Sequence, residues 1–328
     1  MIAIMMKNVL FFSVSLALTS CVGVQKTVLD EHYSKNNCNQ HAPLNYTESD
    51  LPKPLSDLEI DPLLKLKISE KSLNTANAIG LLDDLTAFVK LSENQKDHKN
   101  TDFRLEKLEL LQKIHQKINI ASLEISSVAS ELDCEEERAD QVAQFLKGKE
   151  DNTEKNLVIG SIIVGAAGTI AAEVLSNSDT KQSAVSSVAI GASLAEASLG
   201  VLMLTNKKKT DFFHPRNALS DIWNVPKVSS YYPASIWYYL NTKDKEKKRK
   251  SFVKLLVDEW LNYEQIAESK DKDKDKIYDL YFGKGGLYTS EQLKNRADMM
   301  DQVEAFITLM KQDLKELAIE IEKWNVQQ

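Results

Sequence analysis

Apolar positions recur along this chain at steps of three and four residues, the spacing that lines one face of an α-helix. Leu73, Ala76, Ile79, Leu82, Leu85, Phe88 and Leu91 follow it after Pro62, and the polar stretch from Ser92 to Thr101 reads as a turn. The longest run comes next. Leu111, Ile114, Ile118, Ala121, Ile125, Val128, Leu132, Glu135, Ala139, Val142 and Leu146 alternate three and four apart without a slip, and only Glu135 is out of character. Such a run predicts a coiled coil or a long bundle helix. Phe252 to Ile266 predicts a further amphipathic helix. Met300, Val303, Ile307, Met310, Leu314, Leu317, Ile321 and Trp324 predict a long C-terminal one, with Thr289 and Gln292 placed to form a capping box at its start.

Two stretches depart from this pattern by being apolar all round. LVIGSIIVGAAGTIAAEVL (157–175) and AVSSVAIGASLAEASLGVLML (184–204) are joined by the polar SNSDTKQS. As a helix the first arm would measure about 28 Å, against about 30 Å for a bilayer's hydrocarbon core. Ser161, Gly165, Gly168 and Ala172 set small side chains near one face of the first arm. Ser187, Gly191 and Ala195 do so in the second at four-residue spacing, as in small-xxx-small helix pairs. Each glycine costs about 1 kcal/mol in a helix, so close packing must offset it. Glu173 and Glu196 oppose insertion in lipid, Glu196 most because it falls near the middle of its arm. The pair predicts a tightly packed hairpin and leaves open whether lipid, further copies or the rest of the protein surround it. The expected fold is all-α: an elongated antiparallel helical bundle or coiled coil with a central Gly/Ala-rich apolar helical hairpin.

Composition agrees and removes several function classes. Charged residues make up 27% and aromatics 7%, with 11 Gly and 7 Pro, a helix-rich balance. A net charge of −7 argues against nucleic acid as a partner, since phosphate binding needs a basic face. The histidines at 32, 41, 98, 115 and 214 show no metal-ligand spacing. Asp271, Asp273 and Asp275 imitate the start of a calcium loop, but Lys276 stands where the loop needs Gly and Phe282 where it needs Glu. GASLA (191–195) is one residue short of a hydrolase elbow, and GKGG (283–286) reads as a turn. His214, Arg216 and Asp221 lie close in sequence, within a stretch whose aromatics and Pro215 read as an anchored loop. No catalytic, cofactor or metal site is expected. Asn206 to Lys209 lead into Phe212, Phe213, Trp223, Tyr231, Tyr232, Trp237, Tyr238 and Tyr239. That sequence fits equally an interfacial aromatic belt and a cap packed on the bundle end.

The N-terminus is an address. Met6 to Cys21 holds Lys7, an apolar run too short for a membrane helix, and then Leu18-Thr19-Ser20-Cys21. These residues resemble the lipobox of bacterial lipoproteins. The resemblance implies that the Cys21 thiol is acylated, that the segment before it is removed, and that the protein is anchored in the cell envelope. Val22, where Asp would retain the protein at the inner membrane, implies the outer membrane. Cys38 and Cys134 remain as an even pair in an oxidising compartment, either bonded or as two thiols. The expected organisation is a signal peptide (1–20), a flexible tether (21–57) spanning about 33 Å, long helices (58–156), the hairpin (157–205), an aromatic loop-rich segment (206–250) and C-terminal helices (251–328).

The layout is similar to that of plasmid surface-exclusion lipoproteins, which also combine a lipobox with a glycine-rich hairpin. It implies a non-enzymatic envelope protein with a structural or protective role, held to the membrane through Cys21 and packed against copies of itself or an envelope-protein partner. α-Helical pore-forming cytolysins look similar in carrying an apolar hairpin between long helices. A periplasm-facing scaffold with the hairpin buried in protein is the third reading.

Overall fold

The computed structural model describes Cys38 and residues 45–93, 101–176, 207–214, 216–242, 250–266 and 274–326; at 154–176, 274 and 326 the description is of backbone only. Residues Asn37–Gln328 form a compact unit of their own. The described residues are mostly helical, as the periodicity predicts.

Helix α1 (Pro62–Lys67) opens with Pro62 at its first position, and the Asp61 side chain accepts from the Leu63 amide. Ser69 caps α2 (Glu70–Ala78) in the same way, accepting from the Ser72 amide. The apolar face of Leu73 to Leu91 is continuous in sequence, yet it is carried by two helices, α2 and α3 (Leu82–Glu93). The chain turns between them at Gly80, which takes φ 63°. The Leu81 amide donates back to the Ala76 carbonyl (2.8 Å) and the Gly80 amide to that of Asn77 (3.1 Å), closing the end of α2 as a Schellman-type stop. Leu73, Ala76, Leu85 and Phe88 still share one core, because the turn keeps both faces inward.

Two long helices organise the rest. Helix α4 (Thr101–Ser176) packs along α9 (Ser290–Val326). They run antiparallel: Ser290 bonds Glu150, Lys294 pairs with Asp140, and His115 lies 3.0 Å from Glu322. The predicted seam of α9 is buried from Met300 to Trp324, and that of α4 is buried from Ala121 to Leu146. Where α3 meets them, Phe88 stands edge-on to Trp324 at 5.0 Å among Ile114, Leu317 and Ile321. The capping box forms: the Thr289 amide donates to the Gln292 side chain (2.9 Å) and the Gln292 amide to the Thr289 hydroxyl (3.2 Å).

Strands β1 (Lys209–Phe213) and β2 (Gly285–Thr289) pair antiparallel, from Lys209↔Thr289 to Phe213↔Gly285. The sequence reads GKGG as a turn; its last two residues, Gly285 and Gly286, open β2 instead. Gly285 takes φ 91°, and a Cβ there would sit 2.3 Å from the Phe212 carbonyl oxygen, so the close approach of the strands requires glycine. Short helices α5 (Ala218–Asn224), α6 (Ala234–Asn241), α7 (Phe252–Asn262) and α8 (Lys274–Phe282) complete the described unit. The segment expected to be loop-rich therefore carries a strand and two helices. Its aromatics face inward. Tyr231, Tyr232, Trp237, Tyr238 and Tyr239 are buried and Trp223 stacks on Phe282 at 4.5 Å, while Phe213 is 58% exposed. Of the two readings of this stretch, the packed cap describes it.

Residues 45–57, which polarity alone assigns to the tether, are pinned to the body. The Tyr46 hydroxyl donates to the Tyr232 carbonyl and accepts from the Ser229 amide, both at 3.0 Å. Asn77 donates to the Lys53 carbonyl at 2.8 Å. The segment's few apolar residues, Tyr46, Leu51 and Leu55, follow no helical period, and Leu55 packs against the core all the same.

Candidate functional site

Cys38 and Cys134 are joined by a disulfide, with Cα atoms 5.6 Å apart, across a sequence separation of 96. It fastens the chain emerging from the N-terminal segment to the flank of α4.

One turn beyond Cys134 the two long helices and the aromatic segment meet in a buried polar seam. Glu135 holds the apolar register of α4, and it is there because Arg138 neutralises it at 2.6 Å, both side chains 4% exposed. The Arg138 guanidinium lies 4.1 Å over the Phe212 ring and donates to the Phe213 carbonyl, tying β1 to α4. Arg296 of α9 is fully buried. It donates to the Tyr281 carbonyl (3.0 Å) and to the Asn217 side chain (3.2 Å), while Asn217 itself donates to the Tyr281 and Gly283 carbonyls. Burial holds the Arg296 guanidinium below its ordinary pKa.

His214, Arg216 and Asp221 do not converge. The Tyr288 hydroxyl donates to the Leu280 carbonyl and so accepts from His214 Nε2 (3.1 Å), which fixes the proton on that nitrogen. Burial, then the charges of Arg296 and Arg138, push the His214 ring down to about 2, so it stays neutral. Arg216 pairs with Glu131 (2.9 Å) and lies 4.7 Å over the Tyr231 ring. Asp221 accepts from the Ser229 hydroxyl and the Ser230 and Tyr231 amides, which shapes the turn into α6. Most of the polar atoms of these groups bond one another or backbone, while His214 Nδ1 is buried without a hydrogen-bond partner among the described residues. The arrangement positions chain segments and offers no reacting atom to solvent.

A third feature lies at the far end of the seam. Glu150 is buried on α4; its carboxylate accepts from the Lys208 amide (2.8 Å) and the Ser290 hydroxyl (2.9 Å). The chain leaving along α4 after Glu150 thus returns at Lys208 to the same point. Residues 151–206 are an excursion with a closed root.

Asp133, Glu136 and Glu304 bring three carboxylates within 4.8 Å across the α4–α9 groove, the one grouping of metal-ligand geometry among the described residues. Burial, then Asp301, Asp133 and Glu304, push the Glu136 carboxyl up to about 7, with Lys294 partly offsetting. Glu304 is raised by burial, Asp133 and Asp301. The sign follows. A raised carboxyl is protonated in both states below about pH 4.5. As pH rises from there to about 7 the unfolded chain ionises first, so stability falls through that window and the loss is complete above it. Glu136→Gln is expected to raise the melting temperature at pH 8 and to leave it unchanged at pH 4, read by circular dichroism at both.

A cleft of about 500 Å³ opens between the 50–52 segment, the Gly80 turn and α4. Its polar walls serve one another: Lys117 donates to the Gly80 carbonyl (2.7 Å) and pairs with Asp84, and Ser235 donates to Glu124.

Of the residues singled out in the sequence, Cys38 and Cys134 are brought together. Cys21 lies outside the described residues, as do Ser187, Gly191, Ala195 and Glu196. Ser161, Gly165, Gly168, Ala172 and Glu173 lie on the backbone of α4, with their side chains outside the description. Among the described residues no helix is long and apolar enough to cross a membrane. Comparison with family models, curated proteins and solved structures finds no match.

Proposed function

We propose that this is a non-enzymatic, lipid-anchored envelope protein with a structural or protective role, acylated at Cys21 and carrying an apolar helical hairpin at 157–205. The observation that carries this reading is the Cys38–Cys134 disulfide. Structural disulfides persist in oxidising compartments, and an oxidising compartment is where a lipobox would deliver the chain. The address and the cross-link are independent features of the molecule and point to the same place. The seam adds support from chemistry. Its histidine is neutral and enclosed, and its arginines and carboxylates hold β1, α5 and α8 against the long helices. The closed root at Glu150 and Lys208 agrees with a hairpin that leaves the body and returns to it.

Metabolic labelling with radioactive palmitate tests this. Label is expected in the envelope-bound wild-type protein and none in Cys21→Ala. An unlabelled wild type, or label that survives the substitution, overturns the reading.

A further inference from the structure

We propose that the lysines at the root of the 151–206 excursion form a collar for the anionic headgroups of a phospholipid surface. The proposal rests on the reading of the chain as an envelope protein with an apolar hairpin at 157–205; it adds that the arms face a bilayer and assigns to the body of the protein a contact of its own.

The placement comes from the Glu150 clamp. By accepting from the Lys208 amide, Glu150 draws Lys207, Lys208 and Lys209 alongside Lys147 and Lys149 of α4. Five lysines thus lie within three residues of the clamp in sequence, on the two segments where the excursion starts and ends, with Lys149 over the Phe145 ring (5.3 Å). Among the described residues, the acids beside the clamp are engaged. Glu150 turns inward to Lys208 and Ser290, Asp151 pairs with Lys147 (3.3 Å), and Glu291 pairs with Lys207 (3.0 Å). Both surface pairs are open to solvent, with Lys147 and Lys207 side chains 62% and 63% exposed. Solvent-exposed pairs of that kind are weak and yield readily to a phosphate. Lys149 and Lys209 are exposed as well.

Distance makes the headgroup the fitting partner. The backbone of α4 continues helical from Glu150 to Ser176, about 39 Å at 1.5 Å per residue, and residues 177–207 are long enough to return as a helix. The first arm begins at Leu157, about 10 Å along the axis from Glu150. With Leu157 at the edge of the hydrocarbon, the collar lies at the outer side of a headgroup layer of about 5–8 Å per leaflet, within reach of a lysine side chain. A soluble anion would find the same charges, but the apolar arms leaving from this root choose the membrane.

The test is vesicle flotation of the chain from Val22 onward, which lacks the acylated cysteine and keeps the whole compact unit Asn37–Gln328. Vesicles of phosphatidylcholine alone are compared with vesicles containing phosphatidylglycerol. Preferential binding to the anionic vesicles, weakened by salt, is expected. Lys207→Gln/Lys208→Gln/Lys209→Gln should bind them on the order of a hundredfold more weakly, taking about 1 kcal/mol per lysine near the surface. The clamp uses the Lys208 backbone amide, so these substitutions leave it in place, and an unchanged melting temperature would verify that. The salt dependence of the unsubstituted chain needs no variant. Equal, salt-insensitive binding to both vesicles would show insertion of the arms alone and overturn the collar. Binding to neither would also overturn it, while palmitate labelling at Cys21 would still stand.

Discussion

Glu135→Ala is expected to destabilise the fold by about 3–5 kcal/mol, read as a lower urea midpoint with an unchanged slope. The substitution removes the carboxylate 2.6 Å from the Arg138 guanidinium and leaves that charge among α4, Phe212 and the Phe213 carbonyl. A buried cation that loses its carboxylate retains most of its desolvation cost. Replacing both partners by apolar residues of similar volume, as in Glu135→Leu/Arg138→Met, removes the cost along with the charges. That double variant should lie much closer to the wild type than the single one. If both lose the same amount, the pair acts by shape and not by charge.

The second large effect is expected from Cys38→Ser/Cys134→Ser. On the chain-entropy model, a link across a separation of 96 residues stabilises by about 4–5 kcal/mol, because the unlinked unfolded chain gains that freedom. The double variant should melt on the order of 10 °C lower than the oxidised wild type. Wild type measured in reductant should fall to the same value. A reduced wild type that melts with the oxidised protein would mean that the bond adds nothing to the folded body.

Much of the fold was legible from spacing. The three-and-four steps from Ile114 to Leu146 and from Met300 to Trp324 mark the faces that α4 and α9 bury, and Thr289 with Gln292 marks where α9 begins. Periodicity reports which face is apolar and is silent about where a chain turns, so the Gly80 break between α2 and α3 passed unseen inside a regular pattern. Strand β2 is legible only with its partner. Gly285 and Gly286 look like a turn until the Phe212 carbonyl is brought against them. The polar seam was half visible. Glu135 stood out, and Arg138 three residues on is its natural helical partner. Extending the α9 register four residues back from Met300 lands on Arg296, whose charge hides a core position from a pattern of apolar residues. What His214, Arg216 and Asp221 touch is set by residues 8 to 85 positions away, which no local pattern records.

The disulfide also decides how the molecule carries load. Tension applied to the chain ahead of Cys38 passes through the sulfur bridge into Cys134 and so into the flank of α4. The polypeptide between these two cysteines, with α1, α2, α3 and the first turns of α4, hangs outside that line as slack. A pull from the N-terminal side therefore reaches the body at Cys134 in α4 before it reaches α1, α2 or α3.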